Sequence, residues 1–237
     1  MNELNRKAGV AIDQRRQELA EEIVSRQYQQ ESEIWDRFGN KAREISLRDQ
    51  TYHLQYLSEA VRLSEPLLFA EYIGWVKTLF ESLQFPSEAL ATVLATTREV
   101  IHETYPAEIS SAVNACIDAG EDRIGATSSA IPSFIDDESP LSELARLYLT
   151  ALLGAQRHVA SRLVLEAVEK GTDVKDIYTH VFQVSQREIG RLWQTRQITV
   201  AQEHYCTAST QLVMSQLYPH VFASNKVGRR LVATCVG

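Results

Sequence analysis

An all-α fold follows from three observations on the sequence. Apolar residues recur every three or four positions along most of the chain. Strand-like alternation is absent until the last residues. Prolines, glycines and short polar caps interrupt the apolar pattern at helix-length intervals. The expected architecture is an N-terminal helical domain over residues 1–138, an antiparallel four-helix bundle over 139–224, and a short strand-like stub at 225–237.

The elements are justified in order. Residues 8–37 are rich in Gln, Glu and Arg, with Leu19, Ile23 and Trp35 as sparse apolar points, which predicts one exposed or partner-covered helix. Leu54, Leu57 and Val61 mark the next helix. Phe69, Ile73, Val76 and Phe80 mark another, closed at Pro86. Leu90, Val93, Leu94 and Ile101 predict a helix that stops before Pro106. Ile109, Val113 and Ile117 predict one that ends near Gly120. Turn formers crowd residues 125–140, the expected domain boundary.

Beyond that boundary, Ser139 and Pro140 are the expected start of a helix through Leu144, Tyr148 and Leu152 to Gly154. Ala160, Val164 and Ala167 mark the next, closed by Gly171. Asp173 is positioned to cap a longer helix through Ile177 and Val181 to about Trp193. Thr199 with Gln202 forms a capping-box pattern that opens the fourth, which runs to Pro219. Short connections make the four antiparallel neighbours. The β-rich string Leu231–Val236 is expected as the first strand of a following domain, or as a tail.

With 44% hydrophobic and 23% charged residues in 237, the composition is that of an ordinary globular protein. A net charge of −7 repels phosphate backbones, so direct nucleic-acid binding is not expected. No apolar run is long enough to span a bilayer, and the N-terminus has no signal-peptide core, so no membrane partner and a cytoplasmic location are expected. Cys116, Cys206 and Cys235 are widely spaced and form no disulfide framework. No metal-ligand cluster, nucleophile–base pair or phosphate loop is apparent, so the chain is not expected to be an enzyme.

Two groups of residues can carry ligand chemistry. Trp193 ends one helix, while Val200, Glu203 and His204 open the next, so a tight turn brings an indole, a carboxylate and an imidazole to one end of the bundle. A flat indole can cover an apolar ligand face, and the Glu–His pair can bond its polar groups. The same letters also suit a core anchor at Trp193 and a surface charge at Glu203.

The strings Leu152-Leu153-Gly154-Ala155-Gln156-Arg157, Glu188-Ile189-Gly190-Arg191-Leu192-Trp193 and Ile198-Thr199-Val200-Ala201-Gln202-Glu203-His204 carry a resemblance. Over about residues 140–222 the chain resembles the helical cap that precedes the B12-binding Rossmann domain. That cap occurs in cobalamin-dependent photoreceptors, corrinoid methyltransferase proteins and methionine synthase. The nine residues between Trp193 and Glu203 are similar to the light-sensor version. The resemblance implies that Trp193, Val200, Glu203 and His204 face the upper side of adenosylcobalamin. Two departures stand out. Light-responsive repressors of the family have a cobalt-ligating His directly after the Trp, where this chain has Gln194. Their lower-ligand His follows the first Rossmann strand, beyond Gly237, so adenosylcobalamin is expected only with that domain present.

In the N-terminal region, Asp49, His53 and Tyr56 share a helical face, with Arg48 and Tyr52 alongside and Tyr72 and Trp75 on a following helix. Such a set offers aromatic walls, polar partners for pyrrole N–H groups and a cation for propionates. It equally suits a core histidine among packing aromatics. The strings Arg48–Leu57 and Phe69–Trp75 resemble the helical domain of photocobilins, which implies biliverdin as a second chromophore.

The expected function is a light-sensing module for tetrapyrrole chromophores that signals by conformational or oligomeric change and forms a homo-oligomer. The alternatives are a corrinoid-carrier subunit of a methyltransferase system and a ligand-free helical interaction module.

Overall fold

The computed structural model describes residues 3–35, 39, 41–126 and 131–221, with the single positions 228, 230 and 232. Among the described residues every regular element is a helix. The chain divides into two compact units, Met1–Ser129 and Ala130–Gly237, each with its own apolar core. Of the expected strand over 231–236, all but Val232 lies outside the described residues.

The first unit contains α1 (Glu3–Gln14), α2 (Arg16–Trp35), α3 (Ala42–Leu63), α4 (Pro66–Ser82), α5 (Ala89–Thr104) and α6 (Ala107–Gly125). The single exposed helix expected over residues 8–37 is instead two helices broken at Arg15. Both contribute to the core: Ala8, Ile12, Leu19, Ala20, Ile23 and Val24 are buried. Small residues explain the difference. A Cβ on Gly9 would lie 2.4 Å from the Ser58 carbonyl oxygen, so α1 can approach α3 only because the glycine has none. Ser64 (φ 58) closes α3, and Pro66 occupies the opening of α4, where a missing N–H leaves no bond unmade.

Helix α6 runs past Gly120, where the sequence predicts its end. Gly120 serves close packing: a Cβ there would stand 3.2 Å from Phe69 and 3.3 Å from Ile73 and Leu94. Cys116 sits in this core, and burial pushes its thiol up to about 11.

The second unit is the four-helix bundle, built from α7 (Ser142–Leu153), α8 (Arg157–Glu169), α9 (Val174–Ile177) continuing through a π turn (Tyr178–Phe182) into α10 (Gln183–Gln194), and α11 (Val200–Gln216). A single turn, α12 (Tyr218–Val221), follows. Tyr148, Leu152, Val164, Ile177, Val181 and Ile189 fill its centre. Asp173 caps α9 by accepting the Lys175 N–H at 2.8 Å. Helix α7 starts at Ser142, later than Ser139–Pro140 implies, because Leu141 takes a left-handed conformation (φ 59) and turns its side chain onto the bundle core. Cys206 is a buried thiol in this core, and Cys235 lies outside the described residues. No helix of the described residues is long and apolar enough to cross a membrane.

Candidate functional site

The end of the α10–α11 hairpin is built by its caps. Helix α10 stops at Gln194, and the Gln197 N–H returns to the Leu192 carbonyl at 2.8 Å to close the turn. The Thr199 hydroxyl accepts the Gln202 N–H at 3.2 Å while the Gln202 side chain accepts the Thr199 N–H at 2.9 Å, a complete capping box. These bonds fix where α11 begins and so place Val200, Glu203 and His204 at the same end of the hairpin as Trp193.

Exposure at this end is graded. Trp193 is half-buried, Val200 is 52% exposed, and the His204 side chain stands 75% exposed. The His204 imidazole Nδ1 is hydrogen-bonded to the Glu203 carboxylate, and the Thr207 hydroxyl also lies 3.1 Å from that carboxylate. Gln194 is buried at 4% exposure, inside the bundle. This end of the hairpin therefore presents one apolar side chain to solvent beside a carboxylate–imidazole pair already joined to each other.

Gly190, which the sequence alone does not mark as a contact, lies on the same helix as Trp193. Helical spacing puts it on one face with Gln186 and Trp193. A Cβ built there meets nothing within 4 Å. A mid-helix glycine costs about 0.5–1 kcal/mol relative to alanine, and here no close packing within the unit requires it. The space it leaves is consistent with close approach of a ligand. The glycine is visible in the sequence, but only the structure separates open space at Gly190 from tight packing at Gly120.

A buried ion pair braces the same helix. The Glu188 carboxylate accepts from Arg191 at 2.6 Å and from the Phe134 N–H at 2.9 Å, and these bonds outweigh burial and hold it below the usual carboxylate range. The Arg187 guanidinium lies 4.2 Å from the centre of the Phe134 ring. The segment ahead of α7 is thereby tied to α10 from both sides of one residue.

In the first unit the structure brings His53, Tyr56 and Tyr72 together on the α3–α4 hairpin. Tyr56 and Tyr72 stack with ring centres 3.8 Å apart, and the Tyr72 hydroxyl and His53 Nδ1 share a hydrogen bond of 2.7 Å. His53 is buried, and desolvation lowers its pKa to about 4, so the imidazole is neutral at pH 7. Burial also raises the Tyr72 hydroxyl above its ordinary range. Desolvation raises the Asp49 carboxyl in turn, against the Arg48 guanidinium 3.3 Å away. Tyr52, Tyr56 and Trp75 remain 51%, 45% and 41% exposed. The set is therefore a buried histidine bonded to the half-buried Tyr72, on which the exposed Tyr56 ring is stacked.

Comparison with known proteins bears on the second unit. No curated protein and no solved structure matches the chain. Residues 144–218, from Leu144 in α7 to Tyr218 in α12, match the family described as B12 binding domain, so the four-helix unit is similar to the helical part of cobalamin-binding proteins.

Proposed function

We propose that the four-helix unit is a lid over the upper face of a cobalamin and that the chain is a light-sensing module. The observation that carries this is the coincidence of the matched segment with a hairpin end where Val200 is exposed, Trp193 half-buried and Gly190 backed by open space. Trp193 and Val200 would cover the apolar part of the upper ligand, and Glu203 with His204 would bond its hydroxyl or amide groups. Adenosylcobalamin, when bound, supplies a cobalt–carbon bond that visible light breaks. The nine-residue spacing from Trp193 to Glu203 supports the sensor reading, as does the bulk of the lid, because a carrier must leave that face open to a partner enzyme.

The proposal extends to the first unit, where the face formed by Tyr52, Tyr56, Tyr72 and Trp75 would stack a bilin such as biliverdin. Arg48 would pair with a propionate, and His53, bonded to Tyr72, would stand behind the rings.

Absorption spectroscopy tests both halves. Adenosylcobalamin is titrated into the chain, alone and joined to a cobalamin-binding Rossmann domain. The joined form should bind it, respond to green light, and lose at least tenfold in affinity on Trp193→Ala. Tight binding indifferent to both light and Trp193 would replace the sensor with a corrinoid carrier. Biliverdin added to the full chain should develop a red or far-red band that Tyr56→Ala weakens, and an unaltered free-bilin spectrum removes the bilin from the proposal.

A further inference from the structure

Five side chains on three helices of the second unit form a connected polar string that leads from the hairpin end into the core. The Tyr148 hydroxyl on α7 donates to Thr210 Oγ1 on α11 at 2.9 Å. Gln186 Nε2 on α10 donates to the same Thr210 oxygen at 2.8 Å. One turn nearer the end, Thr207 Oγ1 lies 3.1 Å from Gln186 Oε1 and 3.1 Å from Glu203 Oε1. Tyr148 is fully buried and Thr210 nearly so. Burial pushes the Tyr148 hydroxyl up to about 12, so it keeps its proton and enters the string as a donor.

The proton count gives this string two directions. Thr207 has one hydroxyl proton and two acceptors in reach, so it can serve only one of them at a time. When that proton goes to Gln186 Oε1, Glu203 Oε1 is released from the string and is free to accept from a ligand, while Oε2 keeps its bond to His204. When it goes to the Glu203 carboxylate, the Gln186 amide turns end for end. Its Nε2 then donates to Thr207, its Oε1 accepts from Thr210, and Thr210 still accepts from Tyr148. Every donor in that second arrangement points the same way, from Tyr148 to Glu203. A string of aligned bonds is favoured over one that is interrupted, because neighbouring bonds polarise each other.

We propose that Gln186, Thr207 and Thr210 are positioning residues for Glu203, and that the direction of this string reports to Tyr148 in the core whether Glu203 is engaged at the hairpin end. The role of Glu203 toward a ligand rests on the lid reading, whereas the string itself is defined without any ligand.

The test is carbon NMR of the full chain carrying 13C-labelled tyrosine. The ring Cζ signal of Tyr148, which senses the bonding of its hydroxyl, is assigned by its loss in Tyr148→Phe. Glu203→Gln should shift this signal even though the substituted group lies several bonds along the string. Thr207→Val should abolish the response to Glu203→Gln, and Thr207→Ser, which keeps the hydroxyl, should preserve it. A role confined to packing would give the opposite pattern, since valine fills the space of threonine and serine does not. A Tyr148 signal that moves on Thr210→Val but stays fixed on Glu203→Gln overturns the proposal. The sample contains no cobalamin, so the result is independent of whether the absorption titration supports the lid.

Discussion

At the scale of single residues, two side-chain positions oppose ordinary stability. Gly190 sits in a helix with open space beside it, so Gly190→Ala should raise the stability of the second unit by about 0.5–1 kcal/mol. The same methyl should weaken cobalamin binding by the joined form. Urea unfolding and an absorption titration on one preparation check both directions, and a variant that binds normally would show that the space is not used. His53 opposes protonation. Its pKa falls from an ordinary 6.5 to about 4 on folding, so the unfolded chain takes up a proton across that interval while the folded chain does not. Stability should therefore fall as pH drops from about 6.5 to about 4, by up to about 1.4 kcal/mol per pH unit from this group. The loss between pH 7 and pH 5 should be smaller in His53→Gln, as measured by urea unfolding, and equal losses would mean that the folded imidazole protonates freely. The aromatic and ionisable residues proposed for both sites stand out in the sequence, at helical spacing around His53 and on either side of a short turn at Trp193 and Glu203. Gln186, Thr207 and Thr210 do not, because their meaning lies in the register of α10 against α11, which no single helix reveals.

At the scale of elements, the caps were the most legible feature. Asp173 and Thr199 with Gln202 each act where their chemistry predicts, since a cap depends on residues within one turn, whereas Ser139 and Pro140 precede the start of α7 by a few residues. Helices α1 and α2 were hidden for the converse reason. Much of their buried face is Ala8, Gly9 and Ala20, which carry little hydrophobic signal but allow backbones to approach. Gly9→Ala should accordingly destabilise the first unit by about 1–3 kcal/mol through overpacking against Ser58 and Arg62. Thermal unfolding followed by circular dichroism measures this, and an unchanged midpoint would show that α1 can shift away from α3 at no cost. Gly120 looks like a stop in the sequence, which does not distinguish a glycine that ends a helix from one that lets another side chain in.

At the scale of the whole molecule, the two cores share no residue among those described, and the segment similar to B12 binding domains lies entirely within the second unit. A fragment covering residues 130–237 should therefore be helical and unfold cooperatively by itself, because its apolar core is built from its own helices. Weak helicity or a broad, featureless melt of that fragment would show that the first unit is needed to fold it. The π turn at Tyr178–Phe182 has a bearing on this unit beyond its own bonds. Such a turn takes up one residue more than an α turn, so everything after it is rotated by about 100° from where an unbroken α-helix would carry it. Gln186, Gly190 and Trp193 all lie beyond that point, so the bonds of Gln186 to α11 and the direction in which Gly190 and Trp193 face are a question of phase. What the hairpin end displays is decided by counting residues more than two turns earlier, in a stretch with no ligand chemistry of its own.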